Sequence, residues 1–404
     1  MSQEHVVVVG GGQAGSSLVA KLRNAGHAGP IDLICAEPVP PYQRPPLSKK
    51  YMLGEMELER LFLRPAEFYE GLGITLHLGV TVEGIDPEAR RLTLSTGGTL
   101  GYDQLALTTG SVPRRLPATI GGDLEGVFTV RDLADADAMA PYVRDGGRVL
   151  IVGGGYIGLE AAAVCAQKGM QVTLVEMAPR ILQRVAAEET SDFFRALHAG
   201  HGVDIREGTG LDRLTGEGHV SGAVLADGTT LEVDMVVVGV GILPDTALAE
   251  AAGLALDNGI RTDDFGRTSD PHIWAAGDCA SFPLGGAWIR LESVGNAIDQ
   301  AEIVAQNILG AGLPYVPKPW FWSDQYDVKL QIAGLNTGHD RVVARRDGAA
   351  LSHWYYAGDR LVAIDAMNDG RAYMVGKRLI EGGKSPAPEV VADPGTDLKA
   401  LLKA

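Results

Sequence analysis

Two strand–turn–helix–strand patterns, each built round a Gly-x-Gly-x-x-Gly turn, and a change to alternating strands beyond residue 314 together predict the fold class. It is α/β: two Rossmann-like dinucleotide-binding domains, the second inserted in the first, plus a C-terminal α+β domain with an antiparallel sheet. The expected boundaries are 1–111 and 246–319 for the first, discontinuous domain, 112–245 for the second, and 320–404 for the C-terminal domain.

The first pattern opens the chain. His5-Val-Val-Val-Val-Gly10 is an unbroken β-branched run, as a buried parallel strand requires. It enters Gly10-x-Gly12-x-x-Gly15, passes through a helical segment to Arg23, and ends at Ile31-Asp-Leu-Ile-Cys-Ala-Glu37. The second pattern repeats it: Arg148-Val-Leu-Ile-Val runs into Gly153-x-Gly155-x-x-Gly158, an alanine-rich helix carries Glu160 near its start, and Val172-Thr-Leu-Val ends at Glu176. The physics is the same in both. Early glycines let the backbone turn tightly and approach a pyrophosphate, the third lets helix pack on strand, and the helix N-terminus receives the negative charge. The acid closing the next strand can bond a ribose 2′-hydroxyl.

Composition bounds the rest. With 404 residues, 46% hydrophobic and 21% charged, the chain is long enough for two or three cores. The formal charge of -16 leaves no basic field for nucleic acid. No apolar run approaches the roughly 18 residues of a membrane span, and Met-Ser-Gln-Glu-His enters a strand without signal-peptide features, so no membrane association and a cytoplasmic location are expected. Cys35, Cys165 and Cys279 are too dispersed for a CxxC pair or a metal-ligand set, and no metal is expected.

Between and after the cradles, Pro40-Pro-Tyr-Gln-Arg44-Pro-Pro-Leu-Ser-Lys49 is proline-stiffened and cannot be strand; its Ser48 could cap a helix. Residues 74–110 read as short strands, and Leu211–Asp234 as a β-meander with Ala226-Asp-Gly-Thr as its hairpin. Met235-Val-Val-Val-Gly-Val-Gly241 ends in small residues that leave room for a planar ring. Ile273-Trp-Ala-Ala-Gly-Asp278 places an aspartate at the carboxyl end of a buried strand, where it can serve polyol hydroxyls or cap a helix. An amphipathic helix follows Glu292-Ser-Val294 and runs to Leu309, and Pro314–Pro319 reads as a stiff linker. The strands beyond it alternate, which predicts an antiparallel sheet packed on one face and closed by a helix near Met374 to Glu381. Residues 314–404 carry twelve Lys+Arg against eleven Asp+Glu, a relatively basic island on an acidic chain.

Two ADP cradles imply two dinucleotides, FAD plus a nicotinamide cofactor, and the return of the first pattern at Gly277-Asp278 makes the second domain an insertion. On Arg44-Pro-Pro-Leu-Ser-Lys49, Gly153-Gly-Gly-Tyr-Ile-Gly-Leu-Glu160, Glu292-Ser-Val294 with Asn296-Ala, and Pro319-Trp-Phe-Trp-Ser-Asp324-Gln, the chain resembles the glutathione-reductase-type flavoproteins. Within them it is most similar to the ferredoxin reductases of bacterial oxygenase systems. The resemblance implies one non-covalent FAD, with Gly10, Gly12, Ala14, Gly15 and Glu37 on its ADP half and Val82, Arg131, Asp278 and Val294 on the remainder. It implies that Lys49 lies beside the reactive edge of the isoalloxazine and pairs with Glu160, that Tyr156 covers the flavin where nicotinamide enters, and that Ile157, Glu176 and Gly241 contact NAD. Disulfide reductases of this group carry a cysteine pair in the region of Pro40 to Lys49; this chain has none there, so two-electron exchange through a protein disulfide is excluded.

The expected activity is therefore NADH:ferredoxin reduction: hydride enters the flavin, and electrons leave singly to an acidic [2Fe–2S] ferredoxin serving a cytochrome P450, or alternatively a dioxygenase. A carboxylate at Glu176 repels a 2′-phosphate by about 1 to 4 kcal/mol at ~4 Å, favouring NADH, although Arg180 nearby in sequence opposes it. The partner would be steered by Lys329, Arg345, Arg346, Arg371, Lys377 and Arg378. A rubredoxin or quinone reductase, and a redox-sensing interaction protein like apoptosis-inducing factor, are the other readings that the same motifs allow.

Overall fold

The computed structural model describes residues 3–403, which fall into two compact units. The first comprises residues 3–43, Glu57–Val112 and Ile242–Pro319; the second comprises Arg44–Met56, Pro113–Gly241 and residues 320–403.

In the first unit a parallel sheet runs in the order Ile273–Ala275, Gln104–Leu107, Val6–Val9, Ile31–Cys35, Ile74–Leu78. Val6–Val9 is its central strand and is buried throughout, which is why it reads as four valines without alternation. One face carries a core of Val6, Val8, Leu18, Leu22, Leu33 and Val304, built with the Gln13–Asn24 and Val294–Ile308 helices. The opposite face packs Val7, Ile34, Leu105 and Ile273 against Leu92 and Leu94 of a small antiparallel meander, Val82–Asp86, Arg91–Leu94 and Thr99–Gly101. The Pro314–Pro319 stretch is not a free linker: the amide of Tyr315 donates to Asp264 and its hydroxyl donates to Asn296 Oδ1 at 2.8 Å.

The second unit repeats the parallel arrangement: Asp204–Glu207, Gln171–Glu176, Arg148–Val152, Met235–Val238 and Val127–Phe128, with the expected meander of Leu211–Glu217, His219–Leu225 and Thr230–Glu232. The C-terminal part is an antiparallel sheet ordered Trp320–Gln325, Val328–Gly334, Arg360–Met367, Ala350–Ala357, Arg341–Asp347. The Gly370–Glu381 helix packs on it, capped by Asp369, whose side chain accepts from the Ala372 amide.

One expectation fails here. The alternation of this sheet predicts a single packed face, yet the interiors of its two central C-terminal strands are buried on both. Trp354, Ile364 and Ala366 face the helix core, while Tyr355, Val362 and Ala363 pack with Ala187 on the other side. His353, Tyr355 and Asp365 are polar in type but buried, because Thr190 and one another satisfy them. No helix among the described residues is long and apolar enough to cross a membrane.

Candidate active site

The two glycine cradles have the same internal logic. Gly10 has φ +114°, and a Cβ on it would lie 2.2 Å from the Thr108 carbonyl; one on Gly15 would lie 2.1 Å from the Gly10 carbonyl. In the second cradle, Gly153 has φ +106° and faces the Gly239 carbonyl, and a Cβ on Gly158 would sit 2.0 Å from the Gly153 carbonyl. These glycines are required by the fold itself. The middle ones are different. Gly12 and Gly155 have φ of −91° and −79°, open to any residue, and no protein atom lies within 4 Å of a Cβ built on them. Each precedes a twelve-residue helix with no side-chain cap and no acid in its first turn. A bare backbone at a helix N-terminus, with empty space where a side chain would stand, fits a pyrophosphate group. Both cradles therefore fit the dinucleotides that the fold implies.

The flanking acids are positioned by hydrogen bonds. Glu37 accepts from the Tyr42 hydroxyl at 2.5 Å. Glu176 accepts from the amides of Gly154 (2.7 Å) and Ala178 (2.8 Å), so it holds the glycine turn in shape and keeps lone pairs for a further donor. Arg180 is committed elsewhere: its guanidinium donates to the carbonyls of Ala186 and Ala187 and to Ser191 Oγ. Sequence proximity to Glu176 is no guide to its role.

In the first unit, Asp278 accepts from Ser111 Oγ at 3.2 Å and caps no helix; Ser293 caps the one that Val294 begins, accepting from the Asn296 amide. Gly277 packs on Ala14, and Val82 is buried in the meander. In the second unit, the backbone of Arg131 is held by Asp135 and by the Arg44 guanidinium, Ile157 is exposed, and Gly241 accepts from the Arg114 amide.

Half-buried Lys49 and buried Glu160 form an ion pair at 3.0 Å. Glu160 is 3% exposed, and burial pushes its carboxyl above the ordinary carboxylate range, against the pull of the Lys49 ammonium and of two hydroxyl donors. Those donors are Ser48 Oγ, at 2.8 Å, and Ser323 Oγ, at 2.6 Å. Sequence reasoning gave Ser48 a helix cap and Ser323 no role. The Pro45–Ser48 segment is instead a 3-10 turn, and its serine turns inward to the carboxylate. The only sequence signal for Ser323 was its place in the Trp-Phe-Trp-Ser-Asp-Gln stretch, a β-strand whose alternation puts Phe321 and Ser323 on one face. Phe321 lies 4.8 Å, centroid to centroid, from Tyr156, whose hydroxyl is buried without a partner. Trp322 lies 5.7 Å from Lys49 Nζ.

The sequence pattern described as pyridine nucleotide-disulphide oxidoreductase matches residues 4–301, and one described as reductase C-terminal matches residues 320–402. The chain is 45% identical to a ferredoxin–NAD(P)+ reductase of a Sphingomonas species, over 98% of this chain and 97% of that one. This chain is a ferredoxin reductase of the pyridine nucleotide-disulphide oxidoreductase family. Members of this ferredoxin reductase family are FAD flavoproteins that take NAD(P)H as substrate, and so does this chain. Similarity extends to the anthranilate 1,2-dioxygenase system ferredoxin–NAD+ reductase component of Burkholderia cepacia, 41% identical over the full length of both chains. Among solved structures, putidaredoxin reductase in its covalent complex with putidaredoxin superposes with a TM-score of 0.95 at 38% identity, covering 100% of this chain and 99% of that one.

Proposed function

We propose that this ferredoxin reductase takes electrons from NADH in preference to NADPH, and passes them singly to an acidic [2Fe–2S] ferredoxin that serves an oxygenase in the cytoplasm. The observation that carries the exit of electrons to an external acceptor is the state of the cysteines. Cys35, Cys165 and Cys279 are all buried and unpaired, and burial pushes the Cys35 and Cys165 thiols up to about 12. No cysteine pair of this chain can take the electron pair, so it leaves to an external acceptor. Bound FAD supplies the two-electron acceptor for hydride and the one-electron donor for the partner.

Lys49 and Glu160 are the residues we assign to the hydride-transfer site. Held by the ion pair and by the two serine hydroxyls, Lys49 and Glu160 present an ammonium and a carboxylate in set positions, which would lower the cost of reorganisation during the reaction. On the resemblance we also assign Tyr156, one turn earlier on the same helix, to the nicotinamide entrance. Glu160→Ala should slow flavin reduction by NADH at least tenfold in stopped-flow mixing, while ADP-ribose affinity, set by the cradle, stays within a factor of two or so. Unchanged flavin reduction would remove Glu160 from the mechanism.

The docking surface is narrower than the sequence suggested. Arg345 is buried, and its guanidinium donates to the carbonyls of Val391, Asp393, Pro394 and Thr396, so it cannot steer a partner. Lys377 is paired with Glu381. Arg371 and Arg378 lie on the exposed face of the Gly370–Glu381 helix with the exposed Met374 between them, and the backbone of Lys329 is tied to Asn368 just before that helix. We assign the ferredoxin contact to Lys329, Arg371 and Arg378; Arg346 lies on the far edge strand of the same sheet. Reversing all three charges should raise the KM for ferredoxin several-fold and spare ferricyanide reduction. For the terminal oxygenase, the sequence resemblance puts a cytochrome P450 first, and the dioxygenase-system relative supports the second reading. Reconstitution with each class of oxygenase and its ferredoxin decides.

A further inference from the structure

Behind Glu160 the hydrogen bonds continue. Ser323 Oγ, which donates to Glu160 Oε1 at 2.6 Å, receives Gln325 Nε2 at 3.1 Å. The Gln325 carbonyl oxygen faces His198 Nε2 at 2.8 Å, and His198 Nδ1 faces the Tyr326 hydroxyl at 3.2 Å. Tyr326 stacks on the exposed His201 with ring centroids 3.6 Å apart. Ser323, Gln325 and His198 are at most 1% exposed.

The chemistry fixes the direction of every link. A carboxylate only accepts, so the Ser323 proton points at Glu160 and its oxygen must accept from Gln325. The Gln325 amide nitrogen is then toward Ser323 and its carbonyl toward His198, so Nε2 of the ring carries the proton. Burial pulls the His198 pKa down to about 4, leaving a neutral ring that carries this one proton and accepts from Tyr326 at Nδ1. All four links donate toward the carboxylate, and such a chain polarises in one sense.

We propose that Gln325 and His198 are positioning residues for Glu160, ending a one-way chain of donors that holds its side chain as an oriented carboxylate. The inference rests on the role assigned to Glu160 above. Lys49 is the charged group facing Glu160, from the segment after the Pro45–Ser48 turn; Ser48 and Ser323 are the neutral donors, and His198 is faced by Gln325, Tyr326 and His201.

The test titrates the Glu160 carboxyl in the FAD-loaded protein by infrared difference spectroscopy, with Glu160→Gln identifying its band. His198→Phe and Gln325→Leu should each raise the titration by about half to one pH unit, a fraction of the shift caused by a direct partner. Ser323→Ala should raise it further, and His198→Gln, which keeps an N–H within reach, should leave it in place. Thermal midpoint and FAD content are followed together. A lowered midpoint with an unmoved titration means packing alone and overturns the inference; should either variant fail to fold, the other carries the same test. The pH profile of flavin reduction separates the two claims. A titration that moves while the profile does not upholds the donor chain and rejects Glu160 as a participant in hydride transfer.

Discussion

Glu176 and Arg180 are four positions apart, and only the fold shows that one faces the glycine turn while the other braces the Ala186–Ser191 segment. With Arg180 committed, the carboxylate of Glu176 would act unopposed by it on a 2′-phosphate bound at this cradle. Glu176→Gln should therefore improve kcat/KM for NADPH relative to NADH by about fivefold or more, the lower end of the repulsion expected near 4 Å, in steady-state assays with both nucleotides. The cradle glycines divide in the same way. Gly12→Ala meets no protein atom, so the apoprotein should keep its thermal midpoint while FAD affinity, read from flavin fluorescence, falls at least tenfold. Gly15→Ala drives a methyl into the Gly10 carbonyl and should destabilise the apoprotein itself by several kcal/mol. The spacing of the motif was legible in sequence; which glycine serves the ligand and which serves the fold was not, because that depends on what stands opposite each Cβ.

The helix Glu188–Gly200 meets the C-terminal sheet through a buried polar cluster. Thr190 Oγ1 donates to Asp365 Oδ2 at 2.8 Å and lies 2.7 Å from His353 Nδ1, and Tyr355 also donates to Asp365. Burial raises Asp365 to about 6 and pulls His353 down to about 4. A carboxyl raised in the folded state binds its proton more tightly there than in the unfolded chain. Its stabilising contribution is complete below pH ~4 and is lost as pH rises through about 6. The shift of roughly two units corresponds to about 3 kcal/mol between those limits. His353 has the opposite sign: its contribution is complete above the ordinary histidine value and is lost as pH falls through about 4. Asp365→Asn should flatten the loss of unfolding free energy between pH 4 and 7 in urea titrations, leaving the acid-side loss due to His353. The one-faced sheet expected from alternation failed at this cluster. A strand pattern records residue polarity, and these polar residues are buried because a second element supplies their hydrogen bonds.

Across the whole molecule a charge of -16 would repel the acidic ferredoxin proposed above, so association would depend on where the exposed cations stand. If Lys329, Arg371 and Arg378 receive the ferredoxin, raising ionic strength from about 0.01 to 0.15 M should lower kcat/KM for ferredoxin, since the Debye length shrinks from roughly 30 to 8 Å. If net charge dominated, salt would accelerate the reaction, and the local patch would be the wrong assignment. By itself the sequence determined the two cradles, their helices and closing acids, the absence of a redox cysteine pair and the antiparallel tail, because glycine spacing, strand periodicity and residue chemistry are local properties. Tertiary structure decided the rest of what surrounds Glu160. The resemblance already paired it with Lys49, but Ser48, Ser323, Gln325 and His198 come from three separate stretches of chain, and no local pattern encodes that they meet. It likewise turned Arg345 and Arg180 from candidate ligand-facing cations into internal braces, since a guanidinium binds whichever carbonyls the fold brings within reach.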